Sequence, residues 1–158
     1  MKLLRLLALN LTALIFVPSA AHLFELPAKI SLDRDAYFLV QGIYAGWATF
    51  GVAILAAVAA NGSLAFAERS RDPVAARWAT LSATLIAVSL TVFFIWVFPA
   101  NQATANWTRQ PTAWETLRRQ WEYGHAVNAG IVWLAFLATS VAVMRRDQPQ
   151  RSPTERSV

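Results

Sequence analysis

An all-α integral membrane bundle of four helices is the fold class this sequence predicts, and three observations predict it. The 158-residue chain is 56% hydrophobic and only 15% charged, whereas soluble domains sit near about 45–50% and 25%. Four apolar runs stand apart along it, over 3–22, 38–60, 74–98 and 126–144. Each is close to the ~20 residues a helix needs to cross a bilayer. Helices are required, because an open sheet in lipid leaves backbone groups unpaired. The reading is one domain over 1–146. The remainder, 147–158, is polar and proline-containing and reads as a disordered cytoplasmic tail. No internal repeat is evident.

Charge sets the orientation. Lys2 and Arg5 precede the first run, Arg69, Arg71 and Arg77 surround the second connection, and Arg145, Arg146, Arg151 and Arg156 follow the last run. Those nine lie on one side; Lys29, Arg34, Arg109, Arg118 and Arg119 lie on the other. The positive-inside rule then places both termini in the cytoplasm of a multi-pass cell-membrane protein. The net charge of +5 follows from basic residues beside a membrane and needs no nucleic acid, which would require a basic patch on a folded soluble face. The chain has no cysteine, so disulfides and thiolate metal sites are excluded.

The first run has two readings. As a helix it spans 3–22. As a signal peptide, 1–5 is the basic segment, 6–17 the apolar one, and Ser19-Ala20-Ala21 the cleavage site. Asn10, Thr12 and the apolar continuation to Leu26 favour the helix. The second run carries Gly42-x-x-x-Gly46, then Gly51 and several alanines. Such residues let helices approach closely in lipid, within the bundle or in a homo-oligomer. Tyr37, Gln41 and Tyr44 form a polar stripe on its outer half. Asn61-Gly62-Ser63 signals the inner turn. Asp72 is the expected N-cap and Pro73 the first turn of the third helix, which Pro99 ends.

In the outer connection, Thr112-Ala-Trp-Glu115 reads as a capping box. Trp114, Leu117 and Trp121 follow on one helical face, with Trp107 just upstream. Tryptophans favour the membrane–water boundary. A short amphipathic interfacial helix is therefore expected before the last span, with Arg118 and Arg119 towards water and Gly124 as its hinge.

The topology brings polar residues from all four helices to one outer layer. His22-x-x-Glu25 ends the first helix, and Glu122-x-x-His125 opens the last, with Asn128 one step inward. Gln41 and Tyr44 come from the second helix and Asn101 from the third. Ionisable groups at membrane depth are costly and point to function. Several readings stand side by side. The residues can be structural, with Glu25 paired to Lys29, and Glu115, Arg118, Arg119 and Glu122 paired along one helix. His22, His125, Glu25 and Glu122 can hold one zinc or iron ion, or the two histidines a haem. A di-iron centre needs further glutamates. Without any cofactor, His125 can act as a general base oriented by Glu122. His22 and Glu25 would then stand opposite, while Asn101, Asn128, Gln41, Tyr44 and Trp121 bind a flat hydrophobic substrate. The carbanion formed would react with oxygen directly.

His22-Leu-Phe-Glu25-Leu-Pro27-Ala-Lys29, Tyr44-Ala-Gly46-Trp47, Asn101 to Asn106-Trp107, and Trp114-Glu115-Thr-Leu117-Arg118-Arg119-Gln-Trp121-Glu122-Tyr-Gly-His125 resemble the anthrone oxygenase-like family of small four-helix membrane proteins, and its bacterial branch of unknown function most. The resemblance covers all four helices, and the Trp-Glu…Trp-Glu…His segment is its most specific part. It implies oxidation of a hydrophobic aromatic such as an anthrone, without a cofactor. It carries over no catalytic residue.

Overall fold

A computed structural model describes residues 1–145. Arg146 and the expected tail, 147–158, lie outside the described residues. The described residues are mostly helical: α1 (Lys2–Lys29), α2 (Arg34–Gln41), α3 (Phe50–Glu68), α4 (Pro73–Val92), α5 (Phe98–Ala103) and α6 (Trp114–Met144). Among the described residues there is no strand. Four helical stretches are long and apolar enough to cross a membrane: Lys2–Lys29, Trp47–Glu68, Pro73–Ala103 and Trp114–Met144. At 1.5 Å per residue α1 is ~42 Å long, more than the ~30 Å hydrocarbon core, so its ends reach the headgroup region. α6 packs on α1 and α4, and α3 packs on α4 and α1, closing a four-sided bundle.

Burial confirms a membrane bundle, because it is inverted relative to a soluble core. Alanines fill the interior, among them Ala8, Ala57, Ala79, Ala135 and Ala142, all fully buried. Large apolar side chains such as Leu3 (80% exposed), Phe24 (79%) and Val52 (75%) cover the outside. Helices in lipid gain little by hiding leucine and associate through small residues that permit close packing.

Several boundaries differ from those read in the sequence. Phe38 does not begin the second span. It belongs to α2, which Asp33 caps by accepting from the Ala36 N–H at 2.9 Å. Two single 3-10 turns follow, joined at Gly46, whose φ of +84° is left-handed and suits glycine. Gly42 and Gly46 therefore form no helical stripe, and a Cβ on either would meet nothing within 4 Å. Asn61 is no turn residue: α3 runs on to Glu68 with Asn61 fully buried inside it. There it donates to Thr12 Oγ1 (2.9 Å) and to the Ala57 carbonyl (3.0 Å), and accepts from Thr139 Oγ1 (2.9 Å). Buried polar partners override the local turn signal.

Pro99 does not end the third span either. Phe93–Val97 forms one π turn, in which the Phe98 N–H reaches the Phe93 carbonyl, and α5 continues to Ala103. A widened turn is how a helix carries a residue with no N–H and a ring that crowds the preceding carbonyls. Asp72 does cap α4, its Oδ1 accepting from Val74 and Ala75 N–H at 3.1 Å each. The Thr112 capping box does not form. Ala113 is the N-cap of α6, without a side-chain bond. The amphipathic segment before the last span is the first turns of α6 itself, continuous through Gly124. Gly124 is a contact rather than a hinge, since a Cβ there would meet Val97 Cγ2 at 2.8 Å. Arg118 turns inward instead of to water. It is 8% exposed, donates to the Leu32 carbonyl at 2.6 Å and lies over the Trp114 ring.

Candidate functional site

The polar residues expected in one layer do converge, at the end of the bundle where α1 finishes and α6 begins. α1 and α6 pack directly, so a residue seven before the end of one faces the early turns of the other. His22 and His125 stack, ring centroids 4.0 Å apart and planes 30° apart. Trp121 stands edge-on to both, at 4.2 Å from His125 and 5.0 Å from His22. Tyr44 (4.6 Å) and Trp47 (5.5 Å) close the other side of His22. His22 is buried while His125 is half-buried.

Beyond the histidines along α1, the centre of the network is a residue expected from the sequence only as a partner for Glu25. Lys29 lies one α1 stretch beyond His22, ~10 Å along the axis, and is 4% exposed. Its ammonium pairs with Glu122 Oε1 at 2.9 Å and donates to the Tyr44 hydroxyl at 2.9 Å. It also sits 4.4 Å from the ring centroids of both Tyr44 and Trp121, close enough for cation–π attraction. Glu122 is fully buried and accepts from the Tyr37 hydroxyl at 2.9 Å, which in turn accepts from Gln41 Nε2 at 2.6 Å. The Tyr44 hydroxyl in turn donates to Glu25 Oε2. The result is a continuous chain, Gln41–Tyr37–Glu122–Lys29–Tyr44–Glu25. Tyr37 and Tyr44 stay protonated within it. Burial pushes both phenols well above their ordinary value, and the carboxylates raise them further, Glu122 beside Tyr37 and Glu25 beside Tyr44.

These contacts revise the roles expected of single residues. Glu122 holds Lys29 and Tyr37 rather than orienting His125. Glu25 takes Tyr44 rather than Lys29. Of the intrahelical pairs expected along 115–122, Glu115–Arg119 forms, at 3.6 Å and exposed. Asn101 turns its Oδ1 to two indoles, Trp107 Nε1 at 3.1 Å and Trp121 Nε1 at 2.8 Å. It positions the tryptophan wall. Trp107 itself is swung inward by Ala105, Asn106 and Trp107, three consecutive residues with φ of 49°, 55° and 64°. Left-handed backbone without glycine is strained. It is pinned here by Thr104, whose Oγ1 accepts from the Trp107 N–H at 3.0 Å.

Some groups remain unsatisfied. His22 Nδ1, Glu122 Oε2, Asn128 Oδ1 and Gln41 Oε1 are buried with no hydrogen-bond partner. Buried orphans are costly, and these are atoms that a water or ligand would satisfy. A metal shared by the histidines is a poor fit to this geometry. The two rings meet face to face, whereas ligand nitrogens approach a metal edge-on at ~2.0–2.1 Å. Among the described residues no group of three or more His, Asp or Glu is gathered to hold an ion.

Sequence reasoning missed Lys29 and Tyr37 as members of the site. Their signal was present: a lysine and a tyrosine on helical faces that also carry His22 and Gln41. Comparison with protein-family models, curated proteins and solved structures gives no match.

Proposed function

We propose that this chain is a small membrane oxygenase that oxidises a flat, hydrophobic polycyclic or phenolic substrate without a cofactor, at the His22–His125 layer. The basic-residue bias puts both termini in the cytoplasm, so the layer opens towards the outer leaflet of the cell membrane. The observation that carries the reading is the stacked histidine pair at 4.0 Å, walled by Trp121, Tyr44 and Trp47, beside a buried ammonium. Aromatic walls suit a ring system entering from lipid. Imidazole is the side chain that takes and returns a proton near neutral pH. The likeness of the His22–Lys29 and Trp114–His125 segments to anthrone oxygenase-like proteins supports the same substrate class.

The chemistry balances with dioxygen as co-reactant. His125, the more exposed of the pair, takes a proton from a ring-activated CH2. The carbanion's electron pair forms a C–O bond to dioxygen, and the imidazolium returns its proton to the peroxide. Loss of the second C–H proton with O–O cleavage leaves a carbonyl and one water. Negative charge delocalises into the ring system during the first step. Lys29, held by Glu122 against the Trp121 face, stabilises that charge in a site of low dielectric.

The test is turnover of an anthrone by nanodisc-reconstituted protein, followed by quinone absorbance and oxygen uptake above a protein-free control. General-base removal costs about 10²–10⁴-fold, so His125→Ala should lose at least about 100-fold while melting like wild type. Full activity in that variant sinks the assignment.

A further inference from the structure

At the opposite end of the bundle a groove of about 410 Å³ lies between α3 and α4, lined by Ala65, Phe66, Arg69, Ala76, Arg77 and Thr80. Its alanines leave the two helix backbones close to the surface. Thr80 is occupied, its hydroxyl bonded to the Ala76 carbonyl at 2.9 Å. Phe66 makes one wall, and the Arg69 guanidinium lies 3.4 Å from its ring centroid while donating to the Phe66 carbonyl at 2.7 Å. That contact holds the exposed Arg69 side chain beside the groove. Arg77 has no hydrogen-bond or ion-pair partner among the described residues.

The acids of this end are already engaged. Glu68 Oε1 accepts two bonds from Arg5, at 2.9 and 2.7 Å. Asp72 pairs with Arg145 at 2.7 Å. Arg69, Arg71 and Arg77 are left without a carboxylate among the described residues. Both helices lining the groove are long and apolar enough to cross a membrane, and both arginines lie within a few residues of the turn between them. A basic pocket between spanning helices recognises anionic lipid headgroups. Apart from the arginines and Thr80 the lining is Ala65, Phe66 and Ala76, apolar surface against which an acyl chain can lie.

We propose that this groove is a binding site for one anionic phospholipid, its phosphate bridging Arg69 and Arg77 and an acyl chain lying over Ala65 and Ala76. The site is independent of the histidine layer and of any activity there.

Native mass spectrometry of detergent-released protein, offered equal amounts of phosphatidylglycerol and phosphatidylcholine, tests it. Wild type should retain one phosphatidylglycerol preferentially, with about five-fold preference for each arginine engaged. Arg69→Gln/Arg77→Gln should bring the ratio near one, and Arg34→Gln/Arg109→Gln at the other end should leave it unchanged. An equal loss in both double variants would mean diffuse charge and overturn the site. So would an unaltered ratio in Arg69→Gln/Arg77→Gln. Displacement of the bound lipid by millimolar inorganic phosphate would reassign the groove to a soluble anion and overturn it as well.

Discussion

At the scale of single residues, Lys29 and Glu122 are the buried ion pair beside the histidine stack. Each is nearly inaccessible, and each is tolerable only because the other is there. Removing one partner of a buried pair strands a charge and costs about 3–5 kcal/mol, whereas removing both is often close to neutral. Lys29→Met alone should therefore lower stability by about 3–5 kcal/mol, and adding Glu122→Gln should recover much of that loss. Unfolding of the two single variants and the double in detergent reads the coupling directly. Additive losses would show that the 2.9 Å contact does not hold α1 to α6. Asn101 is the quieter counterpart. One carbonyl oxygen satisfies two indole N–H groups, so two tryptophans from different parts of the chain present a single wall.

Among the elements, the third span and α6 depend on each other. Pro99 follows a π turn over Phe93–Val97, a local bulge in the helix. The bulge is met by Gln120, whose side chain donates to the Trp96 carbonyl at 2.7 Å, and by Gly124, whose missing side chain gives Val97 its space. A glycine inside a helix is otherwise unfavourable by roughly 1 kcal/mol. Gly124→Ala should nevertheless destabilise, by about 1–3 kcal/mol from overpacking, and Val97→Ala should relieve it in the double variant. If Gly124→Ala instead raises the melting temperature, helix propensity outweighs the contact and the close approach is not tight. α2 is the other element that matters. It is too short to span a membrane, yet its buried face supplies Tyr37, Phe38 and Gln41, laying a polar and aromatic lid over the mouth.

Over the whole molecule the interior alternates in layers. The Lys29–Glu122 network and the histidine stack sit at one end. An apolar layer of Ile15, Ala57, Ile86 and Val132 follows. Next comes a clasp in which Thr12, Asn61, Ser82 and Thr139 join all four spanning helices, and finally the charged end. There Asp72–Arg145 ties the start of α4 to the end of α6, and Arg5 Nη1 donates to the Arg145 carbonyl at 3.0 Å. The Asp72 carboxyl is pushed up by partial burial, but the Arg145 bond and the Ala75 and Val74 N–H groups outweigh this and hold its pKa below the ordinary 3.8. Its contribution is thus complete above the unfolded value and is lost as pH falls through the lower, folded one. Asp72→Asn, which can still cap the helix, should melt below wild type at pH 7. The difference should shrink as pH is taken below 3.8. A gap that stays constant with pH would assign the effect to shape rather than charge.

What the sequence determined by itself was the class of molecule and the identity of one layer. Four apolar runs too long for a soluble core, with few charges, leave only a helical membrane bundle. The 3.6-residue period places His22 with Glu25, and Glu122 with His125, at one end of it. Helix ends and partners were decided elsewhere. Asn61, Pro99 and Gly124 each carry a local signal to stop or bend. Two are overruled by contacts from other helices, Asn61 by Thr12 and Thr139 and Gly124 by Val97, and Pro99 by a widened turn of its own helix. Lys29 shows the limit most plainly. Along the chain its near neighbour is Glu25, one helical turn away. Only the packing of α1 on α6 brings the ammonium to Glu122, because a buried charge chooses its partner by who shares its cavity and not by sequence distance.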